Sequence, residues 1–338
     1  MVLRENSRKL FVHCTALIEA TVTRQVNLTL SIICSLATLV SLLGAEGTVC
    51  AEQMLFPNPQ RDGSGEKQLA PPLGPALEQR LQEESRSRES RFSILPHKTN
   101  YLLPAAYNFS PNNAVYAGLA GGDEKMDKLE VKFQLSIKTP IWDNIFDDNG
   151  TLYVAYSQLA FWQAYNSGYS APFREINFEP EIFLSFKTGY ELMGVSSQAV
   201  TVGFDHQSNG RSKPLSRSWN RITANLVFGS GNTYVSFRPW YRIPEGSQDD
   251  DNPHMEKYYG YGELYILQKI SEHTLTMMVR NNLRTTGNKG AIQLDWSFPL
   301  HRKLKGYVQF FNGYGESLAD YNHSNNRIGV GVMLTDWL

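Results

Sequence analysis

Cysteine is scarce in this 338-residue chain: its three cysteines, Cys14, Cys34 and Cys50, all lie in the first fifty residues. The rest of the chain has no thiol that could form a disulfide, bind a metal or attack a substrate. This distribution excludes a disulfide-stabilised scaffold and a cysteine enzyme beyond residue 50.

An excess of charge of one sign is also lacking. The chain has 32 Lys and Arg residues against 33 Asp and Glu residues, which gives a formal net charge of −1. Domains that bind nucleic acids usually carry a basic excess concentrated on one surface. The composition therefore gives no indication of a nucleic-acid partner, and we expect none.

Long hydrophobic runs are missing except near the N-terminus, where apolar residues predominate from Leu28 to Leu43. Basic residues precede this run and small residues follow it up to Ala51, as in a secretory signal peptide. A single transmembrane anchor is the alternative, but a run of about 16 residues is short for a helix that spans a bilayer. We therefore predict that residues 1–51 are a signal peptide, cleaved before Glu52.

Residues 52–98 are rich in Pro, Gly, Gln, Glu, Arg and Ser and show no apolar periodicity. A segment of this composition buries too little apolar surface to offset the entropy that folding costs. We predict a flexible, polar periplasmic extension here, without enzymatic function, followed by a single domain over residues 99–338.

The dominant signal of this domain is an alternation of apolar and polar residues. Val131 and Phe133, for example, flank Lys132. A β-strand with one apolar and one polar face produces this period of two. About twelve such segments follow one another, most of them roughly 9–13 residues long, which is enough for a tilted strand to cross a bilayer. They lie near residues 99–107, 129–138, 151–163, 180–187, 198–208, 218–228, 232–242, 257–269, 273–283, 290–298, 304–313 and 326–338.

The connections between these segments alternate between short turns and long polar loops, and aromatic residues cluster near the segment ends. An even number of antiparallel strands with this alternation is typical of an outer-membrane barrel. No later run of about 18 apolar residues offers a helical route across a membrane. We therefore predict an all-β fold, a twelve-stranded antiparallel transmembrane β-barrel, with a soluble barrel as the alternative.

Three polar residues interrupt the apolar faces of two consecutive segments. His206 and Ser208 continue the apolar face of residues 198–208, and Asn220 continues that of residues 218–228. If the apolar faces meet lipid, these side chains also point out of the barrel. The alternative is that they are ordinary strand-end residues at the level of the lipid headgroups. Strand counting from a periplasmic N-terminus places them at the outer leaflet.

A hairpin centred on Lys213 pairs His206 with Asn220, since both lie seven residues from that position. Directly opposed residues of antiparallel strands have Cβ atoms roughly 4.5–5.5 Å apart, which allows their side chains to form a hydrogen bond. Ser208 lies two positions along on the same face. These side chains match the nucleophile, base and orienting group of a serine hydrolase.

Two segments around these residues resemble the active-site signature of the outer-membrane phospholipase A family. They are FDHQSNGRS at residues 204–212 and SRSWNR at residues 216–221. The resemblance extends from about residue 99 to the C-terminus. It is also carried by residues 172–175, 239–241, 250–253 and 313–318.

The resemblance implies a calcium-dependent phospholipase of the outer membrane that hydrolyses acyl esters of glycerophospholipids, with phospholipase A1, A2 and lysophospholipase activity. Ser208, His206 and Asn220 would form its catalytic triad on the lipid-facing wall. The backbone amide of Gly210 would contribute to the oxyanion hole. A passive outer-membrane pore is the alternative function, but a pore gives no reason for these side chains on the lipid face.

The resemblance further implies that the active form is a homodimer that shares its calcium ions. The calcium contacts would be Arg211, through its backbone, and Ser216 on one subunit, with Ser170 on the other. Gln158 matches a polar residue of the family's dimer interface, and a lone glutamine in a lipid-facing stripe otherwise lacks a reason.

The chain departs from the family pattern at two positions. Ala171 stands where a serine is common, so we expect the loop that holds Ser170 to differ. Leu338 is the last residue where such barrels usually end in phenylalanine, which would weaken recognition by the assembly machinery.

Overall fold

The computed structural model describes residues 93–116, 126–146, 149–169, 172–192, 195–246, 248–301 and 304–335. The predicted signal peptide lies outside the described residues, as does most of the predicted extension. Ser170, Ala171 and Leu338 also lie outside them. Within the described part, no helix is long and apolar enough to cross a membrane.

Twelve long antiparallel strands make up most of the described chain. They are β2 (Asn100–Asn108), β3 (Leu129–Trp142), β4 (Thr151–Trp162), β5 (Phe173–Lys187), β7 (Val195–Ser208), β8 (Ser218–Ser230), β9 (Thr233–Arg242), β10 (Gly262–Ile270), β11 (His273–Asn281), β12 (Gly290–His301), β13 (Leu304–Tyr314) and β14 (Ser324–Thr335). Two further strands of two residues each pair onto the long ones, β1 (Leu95–Pro96) on β3 and β6 (Glu191–Leu192) on β7. The helical segments are short: α1 (Asn113–Tyr116), a 3-10 turn at Ser167–Tyr169, and α2 (Glu256–Tyr259).

The sheet closes on itself. Each long strand pairs with its neighbours along the chain, and β14 pairs with β2 to complete the ring. Closure gives each of the twelve described strands a partner on both sides, which is what a sheet needs in a bilayer. The predicted twelve-stranded antiparallel barrel is confirmed.

Two strand starts differ from the prediction by five residues or more. The fourth barrel strand begins at Phe173 instead of residue 180, because Pro180 lies inside the strand, opposite Tyr156. The proline has no backbone N–H to give to the ladder, and no pairing with β7 is present between Phe178 and Glu181. The eighth begins at Gly262 instead of residue 257, because the preceding residues form α2.

The barrel is apolar outside and polar inside. Leu135 on β3 is 51% exposed, whereas its neighbours Lys132 and Ser136 on the opposite face are 2% and 0% exposed. Leu294 on β12 is likewise 43% exposed and Ser297 1% exposed. An outward apolar band of this kind is solvated by lipid.

Buried ion pairs fill one end of the lumen. Arg174 contacts Glu130 at 3.0 Å and Asp320 at 2.9 Å, and Arg327 contacts Glu130 at 2.7 Å. The loop at residues 315–323 folds inward, and its Leu318 and Asp320 are completely buried. A cavity of about 370 Å³ remains inside the barrel.

The connections differ in length between the two ends of the barrel. Those that follow β2, β4, β7, β9, β11 and β13 have 8 to 20 residues, whereas those at the opposite end have 2 to 8 residues. In outer-membrane barrels the longer loops face outward and the short turns face the periplasm. The end of β7 therefore lies on the outer side.

Candidate active site

His206 and Asn220 lie directly opposite each other on neighbouring strands. The β7–β8 register pairs His206 with Asn220 and Ser208 with Ser218. The pairing predicted from the hairpin centred on Lys213 is therefore present. The chain reverses between the two strands in the nine-residue loop at residues 209–217, which brings all three candidate residues to one end of the wall.

These side chains share the lipid-facing side of the wall. Val202 and Phe204, which precede His206 and Ser208 on the same face of β7, are 47% and 42% exposed. Ile222, on the face of β8 that carries Asn220, is 49% exposed. The three polar residues are each half-buried at the outward end of these apolar stripes.

The hydrogen bond between His206 and Asn220 determines which imidazole nitrogen can act as a base. His206 Nδ1 donates to Asn220 Oδ1 at 2.9 Å. With the proton on Nδ1, the lone pair of the neutral ring is on Nε2. Ser208 follows two residues later on the same face, about 6.5–7 Å along the strand. The arrangement can therefore accept a proton from a nearby hydroxyl.

Sequence reasoning missed Glu245, whose carboxylate completes this row. Asn220 Nδ2 donates to Glu245 Oε1 at 3.2 Å. Partial burial raises the pKa of the Glu245 carboxyl; Arg242 opposes this effect, and Asp250 adds to it. The only indication in the sequence is a glutamate three residues past β9, a strand that neighbours β8 in the barrel.

The loop after Ser208 is organised by the buried side chain of Asn209. Its Nδ2 donates to the Leu215 carbonyl at 2.8 Å, and its Oδ1 accepts from the backbone N–H of Arg217 at 3.0 Å. Gly210 follows with φ of 62°, a conformation that favours glycine. The candidate oxyanion residue is thus held immediately beside Ser208.

One of the predicted calcium residues lies against a carboxylate. The Ser216 hydroxyl donates a short hydrogen bond to Asp251 Oδ2. A hydroxyl, a carboxylate and nearby backbone carbonyls are the hard oxygen donors that calcium prefers, so this part of the loop fits the ion. Lys213 Nζ lies 3.6 Å from the other Asp251 oxygen. In the sequence, the segment that contains Asp251 contributes to the family resemblance, but Asp251 was not predicted to bind calcium.

Arg211 reaches away from this loop with its side chain. Its guanidinium donates to the carbonyls of Phe173 and Arg174 at 3.1 and 2.7 Å. These contacts fasten the loop to the start of β5, just after the segment that contains Ser170. Because Ser170 is outside the described residues, its predicted contact with calcium stays a prediction.

A second acidic group lies in the lumen, on the other side of the wall. Ligand atoms of Glu179, Glu181 and Asp205 lie within 4.8 Å of one another. Each is already neutralised: Lys98 contacts both glutamates at 2.7 and 2.8 Å, and Arg221 contacts Asp205 at 2.7 Å. Since the side chains of Lys98 and Arg221 already form ion pairs with these carboxylates, the group does not fit a calcium ion.

Gln158 lies on the outer face of β4, between Val154, which is 40% exposed, and the outward end of the strand. The Tyr156 hydroxyl donates to Gln158 Oε1 at 3.2 Å. This contact partly satisfies the amide within one subunit, and a role of Gln158 in a dimer interface stays a prediction.

An integral barrel with a hydrogen-bonded imidazole and a neighbouring hydroxyl on its lipid-facing wall has the features of a membrane-embedded hydrolase. Comparison with known proteins agrees. Residues 77–334 match the family model described as phospholipase A1. The chain is 40% identical over 248 residues to phospholipase A1 of Klebsiella pneumoniae, covering 73% of this chain and 84% of that protein.

Solved structures give the same result. The outer-membrane phospholipase of Salmonella typhi, a dimer with bound calcium, matches with a TM-score of 0.68 and 39% identity over 74% of this chain and 95% of that one. The Escherichia coli outer-membrane phospholipase A matches with a TM-score of 0.67 and 39% identity, over 73% and 100%. The chain belongs to the outer-membrane phospholipase A family and is a phospholipase A1, a carboxylic ester hydrolase of the outer membrane.

Proposed function

We propose that Ser208, His206 and Asn220 are the catalytic triad of this phospholipase. The observation that carries the proposal is the hydrogen bond from His206 Nδ1 to Asn220 Oδ1 on the lipid-facing wall. It leaves Nε2 as the acceptor on the face that Ser208 shares. The wall around these residues is apolar, so the acyl chains of a phospholipid can lie against it while its ester meets the serine.

In the proposed reaction, the Ser208 hydroxyl attacks the ester carbonyl while His206 Nε2 accepts its proton. The backbone N–H of Gly210 donates to the resulting oxyanion. The carbon–oxygen bond to the glycerol then breaks, and His206 returns the proton to that leaving oxygen. Water attacks the acyl-serine in a second round, which releases the fatty acid and restores the hydroxyl.

Asn220 holds the imidazole in place without adding a negative charge beside the bilayer. A relative supports an asparagine in this role: one E. coli structure is described as an active-site mutant in which an asparagine is replaced by alanine. The resemblance of residues 204–212 and 216–221 to the family signature also implies cleavage at both acyl positions. We therefore extend the proposal from phospholipase A1 to A2 and lysophospholipase activity.

Calcium is the proposed cofactor, because the Salmonella relative contains it and the donors near Ser208 fit it. The Arg211 carbonyl and the Ser216 hydroxyl would hold the ion, with Ser170 from a second subunit and Asp251 as a carboxylate donor. Bound calcium would supply positive charge that stabilises the oxyanion. The active form would be a homodimer, as that relative is a dimer.

We also propose that residues 1–51 are a cleaved signal peptide and that a polar periplasmic extension follows. The extension was predicted over residues 52–98, but its end is part of the barrel, because β1 pairs with β3 and Lys98 contacts lumen carboxylates. The chain joins the barrel at the start of β2, at the short-turn end that faces the periplasm. Mass spectrometry of the mature protein should find Glu52 at its N-terminus.

Replacement of Ser208 tests the triad. We expect Ser208→Ala to lower fatty-acid release at least about 1,000-fold, while the barrel keeps its resistance to unfolding by heat. Ser218→Ala is the matched control, since it removes a serine directly opposite on β8. Near-normal turnover by Ser208→Ala would disprove the assignment.

A further inference from the structure

The Asn220 side chain is held between two partners with opposite hydrogen-bonding roles. Its Oδ1 accepts from His206 Nδ1 at 2.9 Å, and its Nδ2 donates to Glu245 Oε1 at 3.2 Å. The row runs across three adjacent strands, from β7 through β8 to the residues that follow β9. An asparagine amide can be turned over, so something must select one of its two orientations.

The orientation of this amide decides whether the imidazole is a base. With Oδ1 toward His206, the ring carries its proton on Nδ1 and can accept another on Nε2. With Nδ2 toward His206, the ring must accept at Nδ1, its proton moves to Nε2, and Ser208 loses its base. An aspartate, which only accepts hydrogen bonds, would not face this choice.

We propose that Glu245 is a positioning residue that selects the productive orientation of the Asn220 amide. The inference rests on the proposed triad. An ionised carboxylate only accepts hydrogen bonds, so it attracts Nδ2 and leaves Oδ1 for His206. Hydrogen bonds to a charged acceptor also polarise the amide and strengthen the bond at its other end.

The backbone around Glu245 is placed for this contact. The Ile243 N–H donates to the Asn220 carbonyl at 2.8 Å, which continues the β8–β9 ladder beyond Arg242. Arg242 directs its guanidinium to Asp250 at 2.7 Å. The carboxylate of Glu245 forms its one hydrogen bond within the described residues to Asn220, and its buried Oε2 has no such partner there.

The test is a double-mutant cycle measured with the full-length enzyme on phosphatidylethanolamine and phosphatidylglycerol in mixed micelles. We expect Glu245→Ala to lower kcat roughly 10- to 100-fold, the loss of a charged hydrogen bond, with KM unchanged. Glu245→Gln keeps an acceptor of the same size and should lose less. In an Asn220→Ala background, Glu245→Ala should have no further effect, because the residue through which it acts is gone.

Glu256→Gln is the matched control, since this glutamate of the same loop lies near Arg242 and does not contact Asn220. Three results would overturn the inference. The first two are a wild-type kcat in Glu245→Ala and an equal loss of kcat with and without Asn220. The third is an increase in KM confined to phosphatidylethanolamine, which would mean that Glu245 binds the ammonium headgroup instead of positioning Asn220. If Ser208→Ala and Asn220→Ala were both fully active, the triad itself would fail. If Ser208→Ala and Asn220→Ala lost activity while Glu245→Ala kept normal activity, only the inference about Glu245 would be rejected.

Discussion

The two sides of the barrel wall use polar residues in opposite ways. On β7, Asp205 faces the lumen, is completely buried and accepts hydrogen bonds from Arg221 and Arg238 at 2.7 and 3.0 Å. The next residue, His206, faces lipid, and its imidazole forms a hydrogen bond to Asn220. The lumen pairs charge with charge in a dense network, whereas the outer wall carries a short row of neutral groups that ends in one carboxylate.

This difference follows from what each side requires. A buried charge is costly without a partner, so the lumen groups must neutralise one another for the barrel to fold. Polar groups that face lipid contribute little to packing and cost free energy where they lie. We infer that the lumen residues serve stability and the wall residues serve catalysis.

The largest effect should come from removal of His206, the proposed base on the outer wall. We expect His206→Ala to lower turnover at least about 1,000-fold and to leave the thermal unfolding midpoint unchanged. Asp205→Asn, one residue away, should show the reverse: a lower midpoint and normal turnover per folded molecule. Equal stability loss in both variants would remove the distinction between the two sides.

The second-largest effect should come from disruption of the ion pairs in the lumen. Arg174→Met leaves Glu130 and Asp320 without their shared partner, and breaking a buried ion pair costs about 3–5 kcal/mol of stability. Chemical unfolding in detergent measures the loss, and Arg174→Lys, which keeps the charge, should lose less. A barrel as stable as the wild type would show that the network is not structural.

Removal of calcium should affect the wall site without affecting the lumen. We expect chelator to stop fatty-acid release, and Ser216→Ala to raise the calcium concentration for half-maximal activity roughly tenfold or more. Ser212→Ala, in the same loop, serves as control. Unfolding by chelator would place a structural metal in the barrel, and full activity in chelator would exclude the ion from the mechanism.

The smallest effect should be on association. Gln158→Ala should weaken dimerisation by about 0.6–2 kcal/mol, the range for a hydrogen bond between membrane segments, and lower activity in dilute detergent solution. Cross-linking should restore much of the activity. The lumen-facing neighbour Ser157 provides the control, since Ser157→Ala should leave the dimer intact. Equal activity of monomer and cross-linked dimer would contradict this part of the proposal.

The hairpin that carries the site was predictable because its information is local. The alternation along β7 and β8 indicates which side chains face outward, and a short loop determines the register that pairs His206 with Asn220. The start of β5 was not predictable in the same way. A proline normally marks the end of a strand, because it has no backbone N–H for the ladder. Only the closed sheet shows that Pro180 is tolerated inside β5.

Partners that are distant along the chain could not be assigned. The alternation along β3 and β5 predicts that Glu130 and Arg174 point into the lumen. It does not predict that Arg174 lies between Glu130 and Asp320, because Asp320 is 146 residues further along the chain than Arg174. Many pairings of these charges are compatible with the same alternation. The contact between Asn220 and Glu245 is similar, since the loop after β9 has no periodicity to indicate where it folds.

The sequence by itself determined the succession of two-faced strands and the row of Ser208, His206 and Asn220, because period-two patterns and hairpins are local properties of the chain. The tertiary structure alone decided which lumen charges neutralise one another and which group orients the Asn220 amide. These contacts form only when the ring of twelve strands closes and brings distant loops to one end of the wall. Closure is a global property, and alternation along single strands does not contain it.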